Sequence, residues 1–213
     1  MTELIIFDMD GTMLDTEPLS LKAMIHAAEV MGYEMPDEFF NELIGRNEAH
    51  ARRIIRERYG EGFDYDRASE LHNEYIMDYV DKNGMPIKPG LFELLDLLEK
   101  KGKRKCVATS TAKQNATEKL AIAGIAHRFE VIVGGDEVAE SKPNPEIFLK
   151  AAAFCKVEPK NCLVLEDSAA GTRGAYAAGI PVIIIPDIAP LDDEVKKLGV
   201  AVCKNLFEVA RII

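Results

Sequence analysis

Two carboxylates separated by one residue, Asp8 and Asp10, directly follow the apolar run Leu4–Phe7. Gly11 comes next and lets the backbone turn sharply. Ligands of open α/β sheets bind outside the carboxyl ends of the strands, so a strand here would place both carboxylates where chemistry occurs. One of them could attack a substrate or hold a metal ion while the other transfers protons. The alternative is an Asx-type turn that caps the strand.

A second polar segment, Thr109–Thr111, follows the apolar run Cys106–Ala108. Hydroxyl and backbone N–H groups at the start of a helix are suited to hold a phosphate, although Ser and Thr at such a junction are more often helix caps. Farther along, Lys142 stands between a serine and a proline. It would supply positive charge for an anionic substrate; the alternative is a solvated surface lysine.

A second acidic pair, Glu166 and Asp167, follows another apolar run and precedes a helical pattern. The two acids are either helix caps or part of a hard-cation site completed by Asp8 and Asp10. Four carboxylates in one crevice, with about two more negative charges from a phosphate, would repel each other strongly even at an effective dielectric of about 20. Mg²⁺ and Lys142 together bring three positive charges. The set is therefore consistent with metal-assisted phosphoryl transfer.

Short apolar runs alternate with helical patterns along most of the chain, and this alternation predicts an α/β fold with a doubly wound, Rossmann-like parallel sheet. The runs that predict strands are Leu4–Phe7, Cys106–Ala108, Val131–Val133, Leu163–Leu165 and Val182–Ile185. The patterns that predict helices between them are Leu91–Lys101, Lys113–Ala123, Glu146–Cys155 and Ala169–Ala178.

One interval breaks this alternation. From about residue 17 to residue 85 there is no strand-like run, only the amphipathic helical patterns Leu19–Met31, Ala49–Tyr59 and Ala68–Val80. We therefore predict a helical-bundle cap over residues 16–86, inserted after the first strand into an α/β catalytic core of residues 1–15 and 87–213. The hinges of this cap are expected in residues 11–16 and 83–89.

Composition and charge exclude several classes of protein. The 213 residues carry a net charge of −10, from 36 acidic residues against 26 Lys and Arg, which disfavours binding to nucleic acid. No apolar run approaches the about 20 residues that cross a bilayer, and Asp8 comes too early for a secretory signal. Four cysteines without paired short spacing favour free thiols in a reducing compartment. We expect a cytoplasmic monomer with no nucleic-acid or membrane partner.

The four polar segments, in this order, resemble those of the haloacid dehalogenase superfamily of phosphotransferases, in the class with a helical cap. The resemblance implies that Asp8 is a nucleophile that forms an aspartyl-phosphate and that Asp10 is a general acid and base. It also implies that Thr109 and the Ser110 amide hold the phosphate and that Lys142 stabilises charge.

The same resemblance implies a bound Mg²⁺ ion. Asp8, Asp167 and the carbonyl of Asp10 would hold it, and Glu166 would support that ligand shell. Gly11, in the turn after the nucleophile, is placed by the resemblance among the residues around the phosphate.

Three stretches, DMDGT, SKPNPEIF and LEDSAAG, are most similar to the beta-phosphoglucomutase-like branch, which also contains sugar-phosphate phosphatases. Mutases of this branch often have a valine where Thr12 stands, a lysine in the cap, and a Ser-x-Ser-Lys-type run where this chain has Thr109–Lys113. The resemblance thus implies a phosphatase of a small phosphorylated metabolite, with a phosphomutase as the alternative and a non-catalytic phosphate- or metal-binding relative as a third reading. Arg46 lies near the expected substrate loop of the cap.

Overall fold

A parallel sheet forms the centre of the computed structural model, which describes residues 2–40, 42–43, 48–187, 193–198 and 200–213. The strands lie in the order β3-β2-β1-β4-β5-β6, and every pair is parallel. This sheet confirms the predicted α/β class. The bounds are β1 (Leu4–Phe7), β2 (Arg104–Ala108), β3 (Ile132–Val133), β4 (Cys162–Glu166), β5 (Val182–Ile184) and β6 (Ala201–Val202). No apolar run predicts β6, a two-residue edge strand whose side chains are exposed.

Helices cover both faces of this sheet. Along β1, Ile5 and Phe7 belong to one apolar cluster while Leu4 and Ile6 belong to another, as expected for a central parallel strand buried on both faces. The helices of this part of the chain are α5 (Leu91–Lys100), α6 (Lys113–Ile122), α7 (Glu146–Phe154), α8 (Ala169–Ala177), α9 (Asp193–Lys197) and α10 (Leu206–Ile212). Buried side chains of α5, α6 and α10 pack on the first face, and those of α7 and α8 pack on the second.

Between β1 and α5 the described residues form helices and no strand, which we call the helical segment. Its helices are α1 (Glu17–Val30), α2 (Asp37–Phe40), α3 (Glu48–Tyr59) and α4 (Tyr65–Asn83). They have apolar clusters of their own, one of which joins α1 to α4 through Leu19, Ala23, Ile76 and Val80. The division into a core and a cap at residues 16 and 86 stays a prediction.

The two linkers of the helical segment run side by side. Leu14 pairs with Ile87 in an antiparallel bridge. The side chain of Lys88 then ties the linkers to the sheet, because its Nζ lies 2.5 Å from Asp187 Oδ1, just after β5, and 2.8 Å from Asp15 Oδ1. The Oδ2 atom of Asp187 is buried without a hydrogen-bond partner among the described residues. This ion-pair cluster fixes where the helical segment leaves and re-enters the core.

Replacing Lys88 by Met should therefore destabilise the protein. The Lys88–Asp187 pair is 16% and 12% exposed, so the variant leaves a mostly buried carboxylate without its cation, at a cost of about 2–4 kcal/mol in the free energy of unfolding. Replacing Asp187 by Leu as well should recover most of that loss.

The matched control is Lys82→Met. The Lys82–Asp78 pair has a similar N–O distance of 2.6 Å but is 67% and 66% exposed, so its loss should change the free energy of unfolding by at most about 1 kcal/mol. Urea denaturation of the four proteins measures these values. Equal effects of the two lysine substitutions would contradict the role of the Lys88 cluster.

Candidate active site

The carboxyl ends of β1, β2 and β4 open onto a cavity of about 450 Å³. Segments that lie far apart in the chain meet there, because Asp8, Asp10, Thr109, Lys142 and Asp167 all line this cavity. Its opposite wall is formed mainly by side chains of α1 and α4. The sheet edge and the helical segment therefore enclose one site between them.

A buried lysine joins two buried carboxylates at the centre of this edge. The ammonium group of Lys142 donates to Asp8 Oδ1 at 2.5 Å and to Glu166 Oε1 at 2.6 Å. Burial raises the pKa of Asp8 to about 8, an effect that the Lys142 charge opposes and the Glu166 charge reinforces. Burial also acts to lower the pKa of Lys142, but the two carboxylates outweigh it and hold this pKa above its ordinary value.

Glu166 has no accessible surface, and both of its oxygens are occupied by donors. Its Oε1 atom accepts from Lys142, while Oε2 accepts from the backbone N–H groups of Asp167 and Ser168 and from the Ser168 hydroxyl. A Cβ atom at Gly171 would lie 1.7 Å from Glu166 Oε1, so glycine is required there. The Glu166 side chain thus fixes both Lys142 and the turn that presents Asp167.

Asp167 faces the turn after Asp8. Its Oδ1 accepts from the Thr12 hydroxyl at 3.1 Å, and Gly11, at φ +82°, passes so close that a Cβ atom would lie 2.4 Å from Asp167 Oδ2. Burial raises the pKa of Asp167 well above its ordinary value, and the charges of Glu166 and Asp8 add to this shift. The turn at Gly11 is therefore shaped around the Asp167 carboxylate.

Asp10 has a different environment from Asp8. Its Oδ1 accepts from Thr16 Oγ1 at 2.8 Å and from Lys119 Nζ at 2.8 Å, and its Oδ2 accepts from Thr111 Oγ1 at 2.7 Å. Burial acts to raise the pKa of Asp10, but Lys119 and the two hydroxyls outweigh it, so this pKa lies below its ordinary value. Asp10 is therefore held as a carboxylate.

The loop between β2 and α6 supplies hydroxyl and backbone groups to the cavity. Thr109 is almost fully buried, and its Oγ1 accepts from the Thr111 N–H at 3.2 Å. Ser110 also lines the cavity. A Cβ atom at Gly135 would lie 2.2 Å from the Ser110 carbonyl oxygen, so a glycine from the next strand–helix connection holds this loop in place. No motif in the sequence indicates this role of Gly135.

Residues 5–185 match the sequence model of the haloacid dehalogenase-like hydrolase family. The chain belongs to this family. Protein CbbY of Rhodobacter capsulatus is 33% identical over 193 residues, which cover 85% of this chain and 84% of that protein. The phosphorylated carbohydrates phosphatase of Thermotoga maritima is 33% identical over 183 residues, which cover 84% of this chain and 82% of that protein.

Solved structures of haloacid dehalogenase-like proteins show the same fold over nearly the whole chain. The crystal structure of CbbY from Rhodobacter sphaeroides in complex with phosphate has a TM-score of 0.84 at 27% identity and covers 98% of this chain and 96% of that chain. The structure of beta-phosphoglucomutase from Clostridium difficile has a TM-score of 0.82 at 26% identity and covers 98% of this chain and 93% of that chain. The family predicted from the four motifs is confirmed, and with it the class of enzyme, a phosphate-ester hydrolase.

Three side chains around Asp10 in this haloacid dehalogenase-like hydrolase had not been predicted as site residues. The sequence pattern indicates Thr16 only as the end of a hinge and Thr111 only as the last residue of the polar segment suited to hold a phosphate, and it indicates no role for Lys119. Lys119 lies in α6 among polar residues, a pattern that is typical of a solvated helix face. Arg46, proposed for the substrate loop, lies outside the described residues.

The wall formed by the helical segment presents several neutral polar groups, together with the acidic side chains of Glu17 and Glu48, to the cavity of this hydrolase. Ser20 Oγ and His72 Nε2 lie 2.9 Å apart and join α1 to α4. Burial lowers the pKa of His72 to about 4, so the imidazole is uncharged at neutral pH. Ser69 and Asn73 lie on the same wall, and Glu17 has a pKa raised to about 7 by burial and by the nearby carboxylates.

No helix of the described residues is long and apolar enough to cross a bilayer.

Replacing Asp8 by Asn should stabilise the metal-free protein at high pH. The pKa of Asp8 rises from 3.8 to about 8 on folding. The wild type therefore loses stability as the pH increases from about 4 to 8, because the carboxyl group is ionised in the unfolded chain but still protonated in the folded one. Asn avoids this loss. In the presence of a chelator, the melting temperature of Asp8→Asn at pH 9 should exceed that of the wild type by a few degrees, since about 1 kcal/mol corresponds to about 2–4 °C in a chain of this size.

The difference between Asp8→Asn and wild type should shrink toward pH 5. The exposed Asp81 gives a matched control, because Asp81→Asn should show no pH-dependent difference from the wild type. An Asp8→Asn variant that is less stable at pH 9, or that differs from the wild type equally at both pH values, would contradict this account of the charges.

Proposed function

We propose that this protein is a Mg²⁺-dependent phosphatase that hydrolyses a phosphate ester of a small, sugar-like metabolite through an aspartyl-phosphate at Asp8. The observation that supports this most strongly is the position of Asp8. It lies at the end of the central strand, faces the cavity, and is held through Oδ1 by Lys142. Within the described residues no donor contacts its Oδ2, which leaves that oxygen to attack.

The proposed reaction has two steps. In the first, a carboxylate oxygen of Asp8 forms a bond to phosphorus while the bond from phosphorus to the ester oxygen breaks. Asp10, a carboxylate in the free protein, takes up a proton from solvent before this step and gives it to the leaving oxygen. In the second, water attacks the phosphorus of the aspartyl-phosphate and gives a proton to Asp10, which releases inorganic phosphate and regenerates Asp8. Splitting the reaction at a covalent intermediate divides one difficult step into two easier ones.

Binding of the phosphoryl group is assigned to the other core segments. The hydroxyl of Thr109 and the backbone N–H of Ser110, which line the cavity beside Asp8, would donate to phosphate oxygens, with the turn at Gly11 close by. Lys142 would offset the charge that develops on those oxygens, and such preorganised donors act most strongly where water is excluded.

The acidic groups at the sheet edge fit Mg²⁺ by the chemistry of their donors. Mg²⁺ prefers hard oxygen ligands and keeps several waters, so it needs few protein ligands. Asp8 and Asp167 would each give a carboxylate oxygen and Asp10 its backbone carbonyl. Among the described residues, no three acidic, His or Cys side chains are clustered to hold a metal, so this proposed set consists of two side chains and one carbonyl. Glu166 would support the ion indirectly, through the turn at Asp167. Bound Mg²⁺ supplies positive charge that favours the ionised carboxylates and offsets the phosphate charge.

The substrate class follows from the wall opposite Asp8. Hydroxyl, amide and neutral imidazole groups of Ser20, Ser69, His72 and Asn73 can exchange hydrogen bonds with the hydroxyl groups of a sugar. The cavity is also of a size that holds a small ligand. Two relatives support this class: the Thermotoga maritima protein is a phosphatase of phosphorylated carbohydrates, and a mutant of CbbY from Rhodobacter sphaeroides was crystallised with xylulose-(1,5)bisphosphate.

A phosphomutase is the second candidate, because beta-phosphoglucomutase has the same fold over nearly the whole chain. In the described part of α1–α4, however, no lysine or arginine lines the cavity. A mutase must retain its sugar bisphosphate intermediate, which carries about three to four negative charges, and a cationic wall would help to hold it. The described part of this wall offers no such cation, which supports release of the dephosphorylated sugar and hence hydrolysis.

Release of inorganic phosphate from a panel of sugar phosphates tests this proposal. The wild type should release phosphate with Mg²⁺ and lose this activity in excess chelator, while Asp8→Asn should be inactive under both conditions and Asp81→Asn fully active. A kcat of Asp8→Asn above about a tenth of wild type, a barrier change under about 1.4 kcal/mol, would contradict the role of Asp8. Conversion of hexose 1-phosphate to hexose 6-phosphate without phosphate release would identify a mutase, and binding of phosphate without any turnover would identify a non-catalytic relative.

A further inference from the structure

Lys119 forms an ion pair inside the cavity, although it belongs to a helix whose sequence is typical of a solvated face. Its side chain leaves the later turns of α6 and runs toward the start of that helix, as side chains on helices do, so that Nζ lies 2.8 Å from Asp10 Oδ1. The Lys119 and Asp10 side chains are 26% and 21% exposed. Lys113, on the same helix, instead pairs with Glu137 and is not among the residues that line the cavity.

The three groups that contact the Asp10 carboxylate come from different parts of the chain. Thr16 belongs to the linker that leads into α1, so its hydroxyl would move with the helical segment if that linker bends. Thr111 and Lys119 belong to the β2–α6 region beside the sheet. Of the three donors only Lys119 is charged, and hydrogen bonds between charged groups are about twice as strong as neutral ones. Lys119 is therefore the strongest contact that holds Asp10 to the core.

A proton donor must lie within about 2.6–3.2 Å of the atom that it protonates. Asp10 can rotate about two side-chain bonds, and without fixed partners its carboxyl group would spend much of its time away from the leaving oxygen. Lys119 and Thr111 each fix one carboxyl oxygen. Loss of Lys119 leaves Oδ1 with the linker hydroxyl of Thr16 alone.

We propose that Lys119 is a positioning residue for Asp10, holding its carboxyl group where it exchanges a proton with the leaving oxygen. The inference rests on the proposed function, in which Asp10 protonates that oxygen as the bond to phosphorus breaks. Lys119 itself gives up no proton and makes no bond to the substrate. Its effect should therefore depend on whether the leaving group needs a proton, and not on which sugar the leaving group contains.

Esters with different leaving groups separate positioning from binding. Ethyl phosphate leaves as an alkoxide that needs a proton, and it has no other polar group for Lys119 to bind. Glucose 6-phosphate also needs a proton but carries hydroxyl groups, whereas p-nitrophenyl phosphate leaves as a stable anion. The values of kcat/KM for all three should be measured with Mg²⁺ for wild type, Lys119→Met, Lys119→Arg and the control Lys113→Met, with thermal unfolding to establish that each variant is folded.

Lys119→Met should lower kcat/KM for ethyl phosphate and for glucose 6-phosphate alike, by about 10–100-fold. A positioned proton donor contributes about 10²–10⁴-fold to the rate, and the variant should lose part of that contribution. The value for p-nitrophenyl phosphate should stay within about two-fold of wild type, because kcat/KM covers only the steps through release of the leaving group and that group leaves unprotonated. Lys119→Arg, which keeps the charge, should recover much of the loss, and Lys113→Met should match the wild type.

Three results would overturn the proposal. Equal losses on all three esters would make Lys119 structural, a loss confined to glucose 6-phosphate would make it a substrate ligand, and no loss on any ester would give it no role. The failure of the proposed function has a separate signature. If Asp8→Asn retains turnover, the aspartyl-phosphate mechanism is wrong. If Asp8→Asn is inactive but Lys119→Met lowers kcat/KM equally for all leaving groups, only the role of Lys119 is disproved.

Discussion

One ammonium group shared by two buried carboxylates is the constraint on which the site depends. The register of β1 against β4 pairs Phe7 with Leu165, so the next residues along each strand, Asp8 and Glu166, emerge side by side. Two adjacent buried carboxylates would repel each other, and removing the only cation from such a group is strongly destabilising. Lys142 supplies that cation from the loop before α7. The sheet register, this loop and the nucleophile are therefore fixed together.

The two carboxylates of the first motif differ because their neighbours differ. Asp8 shares Lys142 with Glu166, and burial raises its pKa to about 8, whereas Asp10 has Lys119 and two hydroxyls, and its pKa is lowered. Paired acids whose environments push their pKa values apart are typical of sites that divide acid–base work. A divalent cation beside Asp8 would favour its ionised form, which is the form that attacks phosphorus. The partners of each acid thus push the two pKa values apart, and in the proposed reaction Asp10 has to take up a proton before it can act as the acid.

The sequence predicted what depends on local pattern, and less of what depends on contacts across the fold. Apolar runs located β1 to β5, because a strand buried on both faces is continuously apolar. They could not locate β6, whose two residues are exposed. Most of the motif residues were found because they lie at the ends of strands, whereas Lys142 was found because it stands between a serine and a proline. Lys119 was missed because nothing in the local pattern of α6 shows that its ammonium group reaches Asp10. Glu166 was grouped with metal ligands because only the folded chain reveals the donors that occupy both of its oxygens.

The central claim is that the phosphoryl group passes through Asp8, and trapping that intermediate tests it most directly. Wild-type protein mixed with Mg²⁺ and a substrate ester should be quenched in acid within the first turnover and digested, and the peptide that contains Asp8 analysed by mass spectrometry. The account predicts one phosphoryl group on this peptide, located at Asp8. Its amount should approach one per chain when the second step is slower than the first, and it should disappear as the substrate is exhausted. Release of the alcohol product in the first turnover with no phosphoryl group on Asp8 at any quench time would contradict it.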